Sequence, residues 1–253
     1  MISASGLVKR YGGPDGLLAL DGLSLDIAEG EFVSLLGPSG CGKSTFLRCL
    51  AGLDRPTAGS LLIDKAPVRG PPKGLGMAFQ RDALLDWFDV LENVLLPADF
   101  QGYRKKDFEP RARQLLAMVG LADFLHVYPR ELSGGMRQRV AICRSLLLGP
   151  KLLLMDEPFG ALDALTRDQL NVDFHHLCGD GRTTVVFVTH SIVEAVFLSQ
   201  RIIVFSPRPG RVAENIVVEL PPTRRLLLRE TPEFATYTRQ VRTVLERMGL
   251  IHD

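Results

Sequence analysis

The chain has 253 residues, 46% of them hydrophobic, and a formal net charge of +1, enough to bury a full core as one large domain or two small lobes. So balanced a charge argues against a dedicated nucleic-acid surface. No run of about 18 apolar residues is free of charges or breakers, which excludes a membrane-crossing helix, and Met1 to Gly6 lacks the basic region and apolar core of a secretory leader.

Alternating hydrophobicity predicts a short first strand to Val8 and a second from Leu18 to Ile27, separated by a turn at Gly12-Gly13-Pro14-Asp15-Gly16. Tyr11, at the end of the first strand, reads equally as ordinary packing or as a face for a purine base. The apolar run Phe32 to Leu36 is a buried strand and Phe46 to Ala51 begins a helix. Between them lies Gly37-Pro38-Ser39-Gly40-Cys41-Gly42-Lys43-Ser44-Thr45, a phosphate-binding loop of the form G-x-x-x-x-G-K-S. Glycine permits backbone angles that turn successive N–H groups inward, and the helix start adds its unsatisfied N–H groups and positive dipole end. The pattern predicts that Lys43 reaches the β- and γ-phosphates of a nucleotide and that the Ser44 hydroxyl takes a place on Mg²⁺.

A strand from Ser60 to Ile63 follows, then a loop from Pro67 to Gly76 and a short apolar strand from Leu75 to Phe79 that ends at Gln80. From Arg81 to about Leu132 the period becomes helical, clearest over Glu109 to Val119, as in a helical insertion into an α/β core. Ser133 is placed to cap a helix from Met136 to Leu148. Lys151 to Met155 reads as a strand covered on both faces, and it ends in Asp156-Glu157. Acidic groups at the carboxyl end of a central parallel strand lie where such sheets place ligands.

Beyond these come a helix from Leu165 to Leu177, a turn at Gly179-Asp180-Gly181 and a strand from Thr183 to Val188 ending at Thr189-His190, with Ser191 as the next cap. Strands at Arg201 to Phe205 and Val212 to Leu220 and a helix from Glu233 to Met248 complete the pattern. Arg224, Arg225 and Arg229 read as a solvated face. His175, His176 and His252 read as solvated helix or tail residues, and His126 has no evident partner. Cys41, Cys49, Cys143 and Cys178 show no C-x-x-C spacing and are expected as reduced thiols, with Cys41 favoured as a thiolate by Lys43 and the helix start.

The phosphate loop, Gln80, Leu132-Ser133-Gly134-Gly135-Met136-Arg137-Gln138, Leu152 to Glu157, Ala161-Leu162-Asp163 and His190 occur in the order and spacing of an ABC-type ATPase subunit, which the chain resembles from about Leu7 to Gly210. LSGGMRQR is far more specific than the phosphate loop. FQRDALLDW, THSIVEAVFLS and FSPRPGRV look like the ATP-binding subunits of bacterial importers for nitrate, sulfonates and taurine, and Gly160 is similar to that group where many relatives carry serine. The departures are Ile142 to Ser145, where an alanine-rich stretch is usual, and Asp86, where proline often precedes the tryptophan.

The resemblance implies an α/β fold: a P-loop NTPase core with an antiparallel β subdomain and a helical subdomain. It implies an ATPase domain over 1–220 with the helical part inserted at about 81–150, and a partly helical tail over 221–253. Asp156 is implied to hold Mg²⁺ with Ser44 and Gln80, and Glu157 to take the proton of the attacking water. His190 would contact the γ-phosphate, with Lys43 and Gln80 completing the catalytic set. Ser133, Gly134, Gly135 and Gln138 are implied to meet the ATP on the phosphate loop of a second copy. Two chains would then sandwich two ATP molecules head to tail, with Asp163 near the seam. Implied partners are integral membrane permease subunits and a solute-binding protein, with no nucleic acid, at the cytoplasmic face of the cell membrane. Leu84, Leu85, Trp87 and Phe88 serve either as core or as a groove for a membrane subunit's helix.

Four other readings are weaker. A chromosome-maintenance ATPase needs long coiled coils between phosphate loop and signature, and the roughly ninety residues here show no sustained heptad. A translation-type ATPase usually carries two cassettes, and an exporter ATPase is separated only by resemblance. A metabolic P-loop kinase leaves LSGGMRQR unexplained.

Overall fold

Alternating burial along Ile2–Tyr11 (β1) and Leu17–Ile27 (β2) builds an antiparallel hairpin whose inward face carries Ile2, Ala4, Leu7, Leu20, Leu23 and Leu25. In the computed structural model, which describes residues 1–160, 162–178 and 181–251, β1 runs past Val8 because Tyr11 still pairs with Leu17 before the turn. Phe32–Leu36 (β3) leads through the phosphate loop into Lys43–Leu50 (α1). Ala58–Ile63 (β4) pairs with β1, and the two-residue Ala66–Pro67 (β5) extends that sheet to the order β2-β1-β4-β5. Leu75–Ala78 (β6) follows.

The helical stretch starts at Val90–Phe100 (α2) rather than at Arg81. Asp89 Oδ1 accepts from the Glu92 N–H at 2.7 Å while Glu92 Oε2 accepts from the Asp89 N–H at 3.0 Å, a capping box that sets the start. Buried Asn93 holds the preceding loop open: Oδ1 accepts the Leu85 N–H at 2.8 Å and Nδ2 donates to the Leu85 and Phe88 carbonyls at 3.1 and 3.0 Å. Those backbone groups therefore need no helix to be satisfied. Lys105–Met118 (α3) and Gly134–Leu146 (α4) pack with α2 through Val90, Val94, Ala98, Leu116 and Val140.

Leu152–Asp156 (β7), Ala164–Cys178 (α5), Thr184–Thr189 (β8), Ile192–Leu198 (α6), Arg201–Phe205 (β9), Val212–Val217 (β10) and Pro232–Arg247 (α7) complete the chain. The second sheet runs β10-β9-β3-β8-β7-β6, parallel except for β10. Every residue of β3 and β8 is buried, as strands covered on both faces require. Val33 and Leu35 face α1 and the antiparallel sheet; Phe32 meets Phe174 and Phe187 on the other side, with ring centroids 5.8 and 6.1 Å apart.

Three expectations are corrected. Arg224 is 3% exposed, donating to the carbonyls of Val196 and Ser199 at 3.1 and 3.3 Å, because the last carbonyls of α6 lack helical partners. Arg229 pairs with Asp168 and lies 4.8 Å from the Phe197 ring centroid, leaving Arg225 exposed. His175 is buried, with Nε2 2.8 Å from the Pro222 carbonyl, and His126 pairs with Asp89 at 3.0 Å. His252 lies outside the described residues. None of the four cysteines forms a disulfide, and burial pushes Cys49 up to about 11 and Cys143 up to about 12. Among the described residues no helix is long and apolar enough to cross a membrane.

Candidate active site

The strand order β3-β8-β7-β6 puts four carboxyl ends side by side: the phosphate loop after β3, His190 after β8, Asp156-Glu157 at β7 and Gln80 two residues beyond β6. Residues far apart in the chain thus share one sheet edge. A groove of about 810 Å³ lined by Ile2, Asp26, Glu31 and Arg201 lies at the opposite, amino ends of the parallel strands and contains none of them.

In the phosphate loop, Gly42 has φ +106° and a Cβ there would lie 2.7 Å from the Ala19 carbonyl oxygen, so this position admits only glycine. Gly42 also caps α1 without a side chain, which leaves the first-turn N–H groups for an anion. Lys43 is 3% exposed, its Nζ donating to the Gly37 and Pro38 carbonyls at 2.7 and 2.9 Å and lying 3.6 Å from Cys41 Sγ. The ammonium therefore sits inside the loop, held in the interior by carbonyl oxygens.

Ser44 Oγ donates to Asp156 Oδ1 at 2.9 Å. Burial pushes the Asp156 carboxyl above its ordinary value, opposed by the Ser44 hydrogen bond and the Lys43 charge. A half-buried carboxylate beside a hydroxyl fits Mg²⁺, which takes one or two protein oxygens and completes its shell from phosphate and water. Among the described residues no three His, Cys, Asp or Glu side chains cluster as a self-sufficient metal cage.

Glu157 has φ +48°, a left-handed conformation that costs a non-glycine residue about 1–3 kcal/mol. Its N–H donates to the Val188 carbonyl at 3.0 Å, tying the residue to β8. Its carboxylate meets His190 Nε2 at 2.5 Å and Gln80 Nε2 at 3.4 Å, while His190 Nδ1 lies 3.3 Å from the Gly37 carbonyl. The strained turn thus brings Glu157, His190 and Gln80 together over the phosphate loop.

Ser133 Oγ accepts the Met136 N–H at 3.2 Å and caps α4, so the helix begins at Gly134, ahead of Met136. Ser133 and Gly134 are exposed, and among the described residues no hydrogen bond joins them or Gly135 to the phosphate loop. Gln138 points elsewhere: it is buried and its Nε2 donates to the Phe79 carbonyl at 3.3 Å, beside Gln80. Asp163 is exposed and its Oδ1 accepts the Thr166 N–H at 3.0 Å; hydrogen bonds from Thr166 hold its carboxyl below the ordinary value. Ala161 lies outside the described residues. Tyr11 donates to Asp54 Oδ2 at 2.7 Å, with Lys9 Nζ 4.7 Å from its ring centroid.

Two residues whose role the sequence did not reveal complete this region. Arg137 Nε donates to Asp82 Oδ2 at 2.9 Å, and Arg144 donates to the Ala83 and Asp82 carbonyls at 2.8 and 2.7 Å. Together with Gln138 they fasten the loop after Gln80 to α4. The only advance signal was their helical spacing behind the Ser133 cap.

A family model described as ABC transporter matches residues 20–160. The taurine import ATP-binding protein TauB of Rhizobium johnstonii is 44% identical over 234 residues, 90% of this chain and 88% of that one. The nitrate import ATP-binding protein NrtD of Synechocystis sp. is 42% identical over 235 residues, again 90% and 88%. A solved dimeric ATP-binding cassette in a post-hydrolysis state, bound to ADP and Pi, superposes with TM-score 0.75 at 33% identity, covering 87% of this chain and all of that one. Matches of this extent make the chain a member of the ABC transporter ATPases, an ATP-hydrolysing enzyme.

Proposed function

We propose that the chain is the ATPase of a bacterial importer for a small solute such as nitrate, a sulfonate or taurine, acting on separate membrane subunits with a solute-binding protein. Two copies would work together at the cytoplasmic face of the membrane, without nucleic acid. The observation that carries the chemistry is Glu157, held by β8 and touching both His190 and Gln80. In this reading Glu157 accepts the proton of the attacking water, His190 and Gln80 hold that water in line, and the Lys43 ammonium moves from loop carbonyls to phosphate oxygens. Ser44 and Asp156, with Gln80, would hold Mg²⁺, which would supply charge neutralisation for the phosphates when bound. The ATPase domain spans 1–220 with the helical part at about 81–150, and 221–253 is the tail.

Import is supported by the names of the relatives, and a docked membrane subunit by an exposed apolar patch. Trp87 is 70% exposed beside half-buried Phe88, with ring centroids 6.3 Å apart. That patch adjoins the loop that Gln138, Arg137 and Arg144 fasten behind Gln80, so a helix from a membrane subunit seated there would sense Gln80. The test is co-expression with candidate membrane and solute-binding partners and measurement of ATP turnover in liposomes. The expected outcome is stimulation by one small anion; turnover indifferent to every partner and solute counts against the reading.

A further inference from the structure

Ser191-Ile192-Val193-Glu194 has the spacing of a capping box, in which Glu194 would reach back to the Ser191 N–H. The structure departs from that pattern. Ser191 Oγ accepts the Glu194 N–H at 3.3 Å, but the Ser191 N–H donates instead to Thr189 Oγ1 at 3.0 Å. The Thr189 hydroxyl donates to Glu194 Oε2, and Glu194 is 5% exposed. Glu194 thus grips the residue just before His190.

A buried carboxylate needs a charged partner. Among the described residues, the cation within ion-pair reach of Glu194 is Arg167, whose Nε lies 3.6 Å from Oε1. The same guanidinium donates through its NH2 nitrogen to the Leu162 carbonyl at 2.8 Å, next to Asp163. Leu162 and Thr166 in turn lie against Gly135, where a Cβ would sit 3.2 Å from each side chain. One chain of contacts therefore runs from Gly135 and Asp163 through Arg167 and Glu194 to Thr189 and His190.

We propose that Arg167 and Glu194 are positioning residues that tie the Asp163 segment to His190, so that a second copy closing on Asp163 sets the His190–Glu157 contact in the same protomer. This rests on the reading of His190 given above. One end of the link is the Leu162 carbonyl, the other the Thr189 hydroxyl beside His190.

The test uses the full chain and measures steady-state ATP turnover, affinity for a fluorescent ATP analogue and thermal midpoint. Glu194→Gln keeps an acceptor for Thr189 but removes the charge facing Arg167, and Arg167→Met removes the other partner at a more exposed site. Each is expected to lower turnover about ten- to hundredfold, the scale of a misplaced catalytic group, with nucleotide affinity unchanged; the thermal midpoint should hold in Glu194→Gln and fall in Arg167→Met, which leaves buried Glu194 without its cation. Arg167→Lys should recover part of the loss. In a His190→Ala background both changes should cost nothing further, since the link would have nothing left to position. Losses that multiply with His190→Ala, or that in Glu194→Gln follow falling affinity and thermal midpoint, overturn the link. If His190→Ala itself leaves turnover intact, the reading of His190 fails first and the link with it.

Discussion

Glu157 stores strain where the chemistry is proposed: its positive φ aims the carboxylate at His190 instead of along β7. Glu157→Gln retains shape and the Gln80 contact but not the base, so turnover should fall by about 10²–10⁴ with ATP affinity preserved, read by phosphate release and nucleotide titration. His175 carries a different prediction. Burial pushes its imidazole below the ordinary value, so the folded state holds it neutral while the unfolded chain binds a proton at about pH 6.5. Its contribution to stability is therefore complete above about pH 6.5 and is lost as pH falls toward the folded value. His175→Gln should flatten the decline of the thermal midpoint on the acid side of that point.

The α4 helix works at both of its faces. Its first turn exposes Ser133 and Gly134, while Gln138, Arg137 and Arg144 reach back to residues 79–83. A change in the Ser133 turn should therefore leave the phosphate loop intact. Ser133→Arg is expected to abolish hydrolysis while ATP binding stays measurable by titration. Ser133→Ala serves as the control for the lost cap alone, worth about 1 kcal/mol of stability. If Ser133→Arg also abolishes binding, α4 is supporting the phosphate loop and the assignment of its N-terminus to a second copy is wrong.

A single chain presents a phosphate loop and, apart from it, an exposed helix start of the kind that binds anions. Joining two such chains head to tail would bring each helix start to the other chain's nucleotide, an isologous contact about a two-fold axis. Turnover per chain should therefore rise with protein concentration. Glu157→Gln loaded with ATP and Mg²⁺ should sediment as a dimer; a strictly monomeric species at high concentration would contradict the arrangement.

What could be read from the amino acids alone was contiguous chemistry. A glycine-lysine-serine loop between a strand and a helix, an acidic pair at a strand end and a serine before a glycine pair each depend on backbone conformations set by near neighbours. The sheets were legible for the same reason, since β3, β7 and β8 are short, predominantly apolar runs. Tertiary structure alone decided where long polar side chains found partners. Gln138 turned to Phe79, Arg224 to the end of α6, His175 to Pro222 and Glu194 away from its own cap to Thr189 and Arg167. A buried donor or acceptor must be matched by whatever the packed fold brings within reach, and that neighbour is fixed by strand order and helix docking, which no local pattern encodes.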